Sequence, residues 1–206
     1  MQIYLAKGRG FGANSYILTA DNQTAIVIDP AHAGVANEVK QRGLICQYVL
    51  LTHCHFDHVA GVAALQETGA KVLIGELEKP LVGTSADLFE RFGVPREDYS
   101  IDGVLKDGEL RELCGMQVQT ILTPGHTAGS VCYLMTDGGE TVLFTGDTLF
   151  AGTIGRTDFP SGNIGELRKS LKKLYDLSGD YHVYPGHQEE TTLDNERKTT
   201  AFMCDL

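Results

Sequence analysis

Four short segments of the chain share one pattern, in which an apolar run leads through a small residue or a turn to a histidine or an aspartate. The pattern occurs as VLLTH at 49–53, ILTPGH at 121–126, VLFTGD at 142–147 and VYPGH at 183–187. Apolar runs of this length, rich in β-branched and aromatic residues, are typical of strands. We therefore predict that four strand ends converge on one edge of the fold and place their polar residues together.

Short runs of the same kind predict nine strands in all, and amphipathic patterns predict three helices among them. The strands are predicted at 3–6, 15–19, 25–29, 48–51, 72–74, 116–122, 131–135, 142–144 and 181–184, and the helices at 35–42, 59–68 and 164–177. Asn163 followed by Glu166 predicts a capping box at the start of the last helix. Strands mixed with amphipathic helices indicate layered sheets covered by helices, which is an α/β or α+β fold.

The length and the distribution of glycine favour one domain. A chain of 206 residues can bury a substantial single core, and no partner copy is needed to explain its folding. Its 24 glycines are spread through short turns instead of forming a linker, and no charge block or low-complexity tract divides the sequence. We therefore predict a single domain over residues 1–206.

The charge and the absence of long apolar runs limit the possible partners. The formal net charge is −10 and the basic residues are dispersed, so the chain lacks the basic face that nucleic acid requires. The first twenty residues carry no basic start followed by an unbroken apolar stretch, and no later run reaches membrane-spanning length. We expect a soluble, cytoplasmic enzyme that acts on a small molecule and binds neither nucleic acid nor a membrane.

The five cysteines do not suggest a disulfide framework, because their number is odd and none forms a C-x-x-C pair. Reduced thiols are therefore expected. Cys54 lies between two candidate metal ligands, but alternation in an extended segment points it to the opposite face. We predict that Cys54 is a small buried apolar residue, which is the usual setting of a free cysteine.

The segment THCHFDH at 52–58 holds the densest group of candidate metal ligands. His53 and His55 share a face by the two-residue period of a strand, and the turn that follows can bring Asp57 and His58 to a neighbouring point. Imidazole nitrogens and carboxylates suit zinc, iron or manganese, and without a thiolate a closed structural zinc site is disfavoured. The spacing predicts two neighbouring divalent metal ions, with zinc as the first choice.

Three further candidate ligands, His126, Asp147 and His187, end the other segments of the shared pattern, and each directly follows a glycine. Glycine allows the backbone to turn tightly beneath a metal ion. One histidine after a turn would be an ordinary surface residue, but seven such residues together indicate a metal centre. The two remaining histidines, His32 and His182, match no part of the pattern and are predicted to be structural or solvent-facing.

The order T-H-x-H-x-D-H, then P-G-H-T, then G-D, then P-G-H, over residues 52–187, resembles the metallo-β-lactamase superfamily. The resemblance implies an αββα sandwich of two packed mixed sheets flanked by helices, with the site at one edge of the sheets. It also implies how the ligands divide. The first ion would be held by His53, His55 and His126, the second by Asp57, His58 and His187, and Asp147 would bridge the two ions.

Hydrolysis is the chemistry that such a centre favours. A dinuclear site can make hydroxide from water near neutral pH, orient a carbonyl and stabilise the oxyanion without a protein nucleophile. No G-x-S-x-G elbow is present, so a serine triad has no support. The resemblance implies attack by a metal-bridging hydroxide, with Asp57 and Asp147 as the candidate catalytic residues. Asp57 is expected to act mainly as a ligand and, in addition, to help orient the hydroxide.

Two segments, GTIGRTDFP at 152–160 and PGHQEETTLDNERKT near the end, resemble the short single-domain glyoxalase II (hydroxyacylglutathione hydrolase) branch. This resemblance implies a glutathione-type thioester as substrate. A thioester suits the site because its leaving thiolate is stable, with a free-thiol pKa of about 8.5, and needs little acid assistance. Only 19 residues follow His187. The helical C-terminal domain of the classical glyoxalase II enzymes, which supplies much of their glutathione contact, is therefore not expected.

Arg156 has two interpretations that the sequence leaves open. It follows Gly155, where the longer glyoxalase II proteins carry a basic residue for glutathione, and it would then bind a substrate carboxylate. Alternatively, it pairs with Asp158 and braces its own loop. A separate pocket element, the glycine-rich stretch around Lys7 and Arg9, is interpreted as a hairpin in preference to a pocket wall.

Other functions also stay open. Persulfide dioxygenases of the same superfamily bind one iron through two histidines and a carboxylate and carry a GRTDF-like loop, and the equivalent set here is His53, His126 and Asp147. Hydrolysis of another ester, lactone or lactam carbonyl is a further alternative. A member of the superfamily without turnover would lack a ligand, and none is missing from this sequence. The composition does not indicate an oligomeric state.

Overall fold

Two mixed β-sheets form the centre of the computed structural model, which describes residues 1–8, 10 and 12–204. The strands of the first sheet are Gln2–Lys7 (β1), Asn14–Thr19 (β2), Thr24–Ile28 (β3), Ile45–Leu51 (β4), Lys71–Gly75 (β5) and Gly103–Leu105 (β6). They lie side by side in chain order. Strands β1 to β3 pair antiparallel, and β3 to β6 pair parallel because helical connections return the chain to the same end of the sheet.

The second sheet is built from the other half of the chain. The remaining strands are Leu110–Leu113 (β7), Met116–Leu122 (β8), Val131–Asp137 (β9), Glu140–Gly146 (β10), Leu149–Phe150 (β11), Thr153–Ile154 (β12), His182–Pro185 (β13) and Thr191–Thr192 (β14). The order in this sheet is β14-β13-β10-β9-β8-β7, and β11 pairs only with β12. Only β10 and β13 pair parallel, so the carboxyl ends of these two strands meet at one edge.

Short helices cover the outer faces of both sheets. In the described part of the chain they are Gly34–Gln41 (α1), Phe56–Val59 (α2), Val62–Gln66 (α3), Phe89–Phe92 (α4), Ile164–Tyr175 (α5), Leu193–Thr199 (α6) and Ala201–Cys204 (α7). Two 3-10 turns, Lys79–Leu81 and Ser85–Asp87, lie between β5 and α4. No helix among the described residues is both long and apolar enough to cross a membrane.

Alternation along the strands divides the apolar side chains between an inner and two outer cores. In β2, Tyr16 and Leu18 pack against the second sheet, whereas Ile17 packs with Val35 and Val39 of α1 on the outer face. The second sheet has its own outer core with the leucines of α5 and α6. Both faces of each sheet are buried, which explains why the central strands are continuous apolar runs. The predicted sandwich of two mixed sheets between helices is confirmed.

The predicted strands all overlap observed ones, but the helix predicted at 59–68 is wrong in its start and its continuity. The chain is already helical at Phe56, and it breaks between α2 and α3 at Gly61. A side chain at Gly61 would place its Cβ 2.3 Å from the His32 carbonyl oxygen, and the Gly61 N–H donates to the Pro30 carbonyl at 2.8 Å. This close approach of two backbones breaks the helix, and a helical pattern cannot reveal it.

The cysteines are placed as the sequence predicted. All five are free thiols, and Cys54 is fully buried in the outer core of the first sheet. The N-terminal hairpin is also present, because β1 and β2 pair from Gln2 with Thr19 to Lys7 with Asn14. Arg9 lies outside the described residues. The single domain over 1–206 and the cytoplasmic location stay predictions.

The capping box predicted at α5 forms only in half. The Asn163 Oδ1 accepts from the N–H groups of Gly165 at 2.8 Å and Glu166 at 3.1 Å. Glu166 does not reach back, because the Asn163 N–H already donates to the Gly125 carbonyl at 2.8 Å and the Glu166 carboxylate contacts Lys169. The helix start is therefore held by Asn163 and by the loop that contains Gly125.

We predict that Asn163→Ala lowers the free energy of unfolding by about 1 kcal/mol, because two N–H groups at the start of the helix lose their acceptor. Glu166→Ala is the matched control and is expected to cost less than about 0.5 kcal/mol, because it removes an exposed contact with Lys169 only. Urea unfolding of both variants measures the difference. Equal losses would show that Glu166 contributes to the cap after all.

Candidate metal centre

The four segments of the shared pattern end at the same edge of the two sheets, as predicted. His53 comes after β4 of the first sheet, whereas His126, Asp147 and His187 come after β8, β10 and β13 of the second. Together with the residues of the 52–58 segment they form one cluster of ligand-type atoms, in which Asp57 and His187 are partly exposed and the others are buried. All seven predicted residues are thus brought together. Their role as metal ligands stays a prediction.

Two buried tyrosines between the sheets tie each sheet to a segment of the other that carries a ligand. The Tyr133 hydroxyl, from the second sheet, donates to the Leu51 carbonyl at 2.6 Å, two residues before His53. The Tyr16 hydroxyl, from the first sheet, donates to the Pro185 carbonyl at 2.8 Å. The packing between the sheets therefore sets how far apart the ligand-bearing strand ends lie.

One group of three histidines is fully enclosed. His53 Nε2 lies 3.1 Å and His126 Nε2 lies 2.9 Å from His55 Nδ1. At most 2% of each of the three residues is exposed. Three imidazole nitrogens that converge so closely match a nitrogen-rich site for a transition metal. This is the set that the resemblance assigned to the first ion.

The second group is more open and contains a carboxylate. His187 Nε2 lies 3.2 Å and His58 Nε2 lies 4.0 Å from Asp57 Oδ2. His58 is buried, whereas 31% of the His187 side chain is exposed. The three ligand atoms lie within 4.8 Å of one another, as in the first group. This is the set that the resemblance assigned to the second ion.

Asp147 lies between the two groups. Its Oδ1 is 3.3 Å from His58 Nε2, and its Oδ2 is 3.4 Å from His126 Nε2 and 3.6 Å from His187 Nε2. One carboxylate therefore faces nitrogens of both groups. This position is the one that a bridging ligand would occupy.

Three buried atoms of the cluster have no hydrogen-bond partner among the described residues: His55 Nε2, His58 Nε2 and Asp147 Oδ1. The last two lie 3.3 Å apart, but not in the alignment that a hydrogen bond needs. A buried polar atom without a partner costs about 1–3 kcal/mol. Coordination of a cation would satisfy His58 Nε2 and Asp147 Oδ1, and nitrogen and oxygen donors suit the metals that the sequence predicted. The residues present therefore fit a metal centre.

Asp29 is a functional residue that the sequence analysis missed. It follows β3, and its Oδ2 contacts His58 Nδ1 at 2.9 Å and accepts from the Thr52 hydroxyl at 2.6 Å, while its Oδ1 accepts from the Thr52 N–H at 2.8 Å. The Thr52 hydroxyl in turn contacts His53 Nδ1 at 3.0 Å. Such outer hydrogen bonds fix the orientation of metal-binding imidazoles. The run AIVID at 25–29 repeats the apolar-run-to-acid pattern and was the available signal.

Arg156 has a role in its main chain that the sequence did not indicate. Its carbonyl oxygen lies 2.7 Å from His126 Nδ1, so it orients that ring. Its guanidinium donates two hydrogen bonds of 2.7 Å to Asp158 and stacks on the Phe159 ring at 3.9 Å. The pair between Arg156 and Asp158 is thus formed, and it lies at the exposed edge of a cavity above the ligand groups. Contact of the guanidinium with a substrate stays a prediction.

A cavity of about 480 Å³ opens above the two ligand groups. Its wall includes the aromatic rings of Phe56, Phe92 and Phe159, and the Phe159 ring lies 6.0 Å from that of His55. Leu88 also lines the cavity and has a left-handed backbone with φ of 67°, which is costly for a bulky residue. The size and the apolar lining with polar groups at its base suit a small molecule.

The remaining predictions about nearby residues have mixed outcomes. Gly10 lines the cavity, so part of the N-terminal hairpin does form a pocket wall. His182 is exposed and contacts Glu190 at 2.8 Å, and His32 is half-buried. Neither histidine belongs to the two ligand groups. Both therefore lie where they were predicted, outside the metal centre.

The glycines that precede the ligands are needed for two different reasons. Gly125, before His126, has a φ of 139°, which only glycine adopts readily. Gly186, before His187, has no such backbone, but a Cβ there would lie 2.3 Å from Asp147 Oδ1. The first glycine allows a tight turn, and the second makes room for the carboxylate between the two groups.

The electrostatics of the cluster leave most ligands ready to bind a cation. Burial lowers the pKa of His55 to about 3, and burial together with the neighbouring histidines holds the pKa of His53 well below its usual value. Burial acts to raise the pKa of Asp147, but His58 and the other histidines outweigh it, so that the pKa lies below the usual range. His53 and His55 are therefore neutral and Asp147 is ionised at neutral pH.

His58 is the exception. Burial acts to lower its pKa, but Asp147, Asp29 and Asp57 outweigh burial and hold the pKa well above the usual value. The raised pKa favours the cationic form of His58 in the metal-free protein, and the proton on Nε2 must leave before this nitrogen can bind a cation. Affinity for a divalent cation is accordingly expected to rise with pH until the raised pKa of His58 is passed.

We predict that zinc binding at pH 7 releases about one proton per chain from His58. Titration calorimetry in buffers of different ionisation enthalpy counts the protons. In Asp29→Asn the carboxylate beside His58 Nδ1 is lost, which lowers the pKa of His58, so fewer protons are released, and affinity falls by roughly 10–100-fold. Zinc binding without proton release, or equal release by both proteins, would contradict this assignment.

Comparisons with known proteins agree with this geometry. Hydroxyacylglutathione hydrolase GloC of Haemophilus influenzae is 33% identical, and the match covers 98% of this chain and 98% of its own length. The structure of BLEG-1 B3 metallo-beta-lactamase superposes with a TM-score of 0.88 at 29% identity, covering 98% of this chain and 99% of that one. TTHA1623 in a di-iron-bound form superposes with a TM-score of 0.83 at 31% identity, with 97% and 99% covered.

The family assignment rests on sequence and fold together. The sequence model of the Metallo-beta-lactamase superfamily matches residues 8–187, which include every predicted ligand. The similar structures also share the arrangement of two mixed sheets between helices. The chain belongs to the metallo-beta-lactamase superfamily, whose members bind metal ions and are generally hydrolytic enzymes.

Proposed function

We propose that this protein is a dinuclear metal-dependent hydrolase that cleaves a glutathione-type thioester, as hydroxyacylglutathione hydrolases do. The observation that carries the proposal is the position of Asp147, whose carboxylate faces both ligand groups at the base of an open cavity. Zinc is the metal proposed first, with iron or manganese as alternatives, since all three accept nitrogen and oxygen donors. The di-iron form of TTHA1623 supports two metal ions.

The two metal ions, when bound, would supply an acidified water and a polarised carbonyl. The chain itself supplies orientation. Asp29 holds the His58 ring and the Arg156 carbonyl holds the His126 ring, so that the nitrogens facing the site keep fixed directions. Asp57 is partly exposed to the cavity, where its carboxylate can accept a hydrogen bond from the attacking water. Asp57 and Asp147 are the proposed catalytic residues.

The cavity wall and the chemistry of the leaving group support a thioester. A thiolate leaves without much acid assistance, and the described residues of the wall include no neutral acid placed to protonate a poor leaving group. The aromatic rings of Phe92 and Phe159 offer an apolar surface beside the ligand groups. Arg156, at the edge of this surface, is proposed to bind a carboxylate of the thiol part.

Metal analysis coupled to hydrolysis of S-lactoylglutathione tests the proposal. We expect two metal ions per chain and release of free thiol that a chelator abolishes and added zinc, iron or manganese restores. Full metal occupancy without thioester hydrolysis would rule out the substrate class, and assays of other esters, lactones and lactams would follow. One iron per chain with oxygen uptake on glutathione persulfide would instead identify a persulfide dioxygenase that uses His53, His126 and Asp147.

We predict that Arg156→Ala raises KM for the thioester by roughly 10–100-fold with a smaller change in kcat, because a charge-assisted hydrogen bond to the substrate is lost. The Arg156 and Asp158 side chains are 56% and 65% exposed, so their pair contributes little to stability and a substrate carboxylate can compete with Asp158. The main-chain contact with His126 is retained in this variant.

Asp158→Ala separates the two interpretations of Arg156. If Arg156 binds substrate, removal of Asp158 frees the guanidinium, and KM stays the same or falls. If the pair only braces the loop, both variants lose thermal stability to a similar extent and neither changes KM. Steady-state kinetics and thermal unfolding of the two variants, measured together, decide between these outcomes.

A further inference from the structure

Glu78 is a fully buried carboxylate that the proposed chemistry does not use. It lies between β5 and the 3-10 turn Lys79–Leu81, and among the described residues no basic side chain forms a salt bridge with it. Burial of an ionisable group without a cationic partner is expensive unless hydrogen bonds compensate. Glu78 has such hydrogen bonds, and all of them lead to the segments that carry ligands.

Each oxygen of Glu78 holds one of two segments. Its Oε1 accepts from the N–H of Cys54 at 2.9 Å, and Cys54 stands between His53 and His55. Its Oε2 accepts from the Thr127 hydroxyl at 2.7 Å and from the Gly129 N–H at 3.1 Å, just after His126. One carboxylate thus joins the segment of the first sheet to the segment of the second.

The surroundings leave this carboxylate no freedom to move away. A Cβ at Gly129 would lie 2.2 Å from the Glu78 nitrogen, so the two backbones are in direct contact. A Cβ at Gly75 would lie 3.0 Å from the Gly129 carbonyl oxygen. The Val131 N–H also donates to the Thr52 carbonyl at 2.9 Å, beside the same contact. The Glu78 side chain and this backbone hydrogen bond together therefore set the distance between the two segments.

We propose that Glu78 is a positioning residue that fixes the separation between the His53–His55 pair and His126 and so forms the first metal site before a metal ion arrives. The inference rests on the proposed metal-binding role of these three histidines, and it does not depend on the thioester substrate. Glu78 itself contacts no metal ion and no substrate. It acts through the backbone on either side of the ligands.

Glutamine is a stringent substitution at this position, because it keeps the size and removes one acceptor. The amide NH₂ of glutamine must face either the Cys54 N–H or the Gly129 N–H, and a backbone N–H cannot reverse its role. The Thr127 hydroxyl can reverse, since it also contacts the Ser130 hydroxyl at 2.6 Å. Glu78→Gln therefore separates the two segments even though the side chain fits.

Zinc affinity of the metal-free protein, measured by competition with a chromogenic chelator, tests the proposal. We expect Glu78→Gln to lower the affinity for the tighter zinc ion by roughly 10–100-fold, the usual effect of losing an outer-shell group. Thr127→Val removes the hydroxyl that donates to Glu78 and contacts Ser130, but it keeps both backbone hydrogen bonds to Glu78, so a smaller loss in the same direction is expected. This second variant keeps the test informative if Glu78→Gln does not fold.

Glu196→Gln is the matched control. Glu196 is also fully buried and accepts from the Gly152 N–H at 2.8 Å and from the Thr191 hydroxyl at 2.6 Å, but neither partner lies within three residues of a candidate ligand. We expect this variant to melt at a lower temperature and to bind zinc as the wild type does. If zinc affinity falls in both Glu78→Gln and Glu196→Gln in proportion to the decrease in their melting temperatures, Glu78 has only a general structural role and the proposal is overturned.

The wild-type titration distinguishes a failure of the proposed metal centre from a failure of the role of Glu78. Absence of zinc binding by the wild type would refute the proposed metal centre itself. Zinc binding by the wild type, with unchanged affinity in Glu78→Gln, would leave the metal centre standing and refute only the role of Glu78. A loss confined to Glu78→Gln and Thr127→Val is the result that supports it.

Discussion

The structure depends on a cluster of imidazole rings and carboxylates that the surrounding fold holds close together without a cation. Nitrogens of His53, His55 and His126 lie about 3 Å apart with at most 2% of each residue exposed, and desolvation of these polar atoms opposes that arrangement. Hydrogen bonds to the outer side of the rings offset part of the cost of the cluster. Asp29 contacts His58, Thr52 contacts His53 and is itself held by Asp29, and the Arg156 carbonyl contacts His126. The surrounding fold thus supplies an organised set of donors before any ligand binds.

The sequence was sufficient to predict which residues lie together in the cluster and insufficient to predict what supports them. Four of the seven candidate ligands end an apolar run, the other three follow within five residues of His53, and this local pattern can be seen in a single sequence. Glu78, by contrast, stands in the polar run ELEK, and its burial follows only from contact with residues 127–129, about fifty positions away. Gly61 broke a predicted helix for the same kind of reason. Where a residue acts through a distant backbone, no local pattern records it.

The relatives share the family and the fold, so the choice of substrate is expected to come from the cavity wall. A hydroxyacylglutathione hydrolase and a B3 metallo-beta-lactamase both resemble this chain over nearly all of its length. The wall here is built by the short α4 segment, where Leu88 accepts a left-handed backbone and Phe92 is 46% exposed, and by Phe159 opposite it. The choice of substrate is therefore expected to depend on this cavity wall and not on the fold.

Tyr16 and Tyr133 make the inner core important for the positions of the candidate ligands as well as for packing. Each ring packs between the sheets, and each hydroxyl ends on the carbonyl of a segment that carries a ligand. A volume change in this layer is therefore expected to displace the candidate ligands as well as weaken the packing. The inner core around these tyrosines should accordingly tolerate smaller changes of side-chain volume than its apolar packing alone would require.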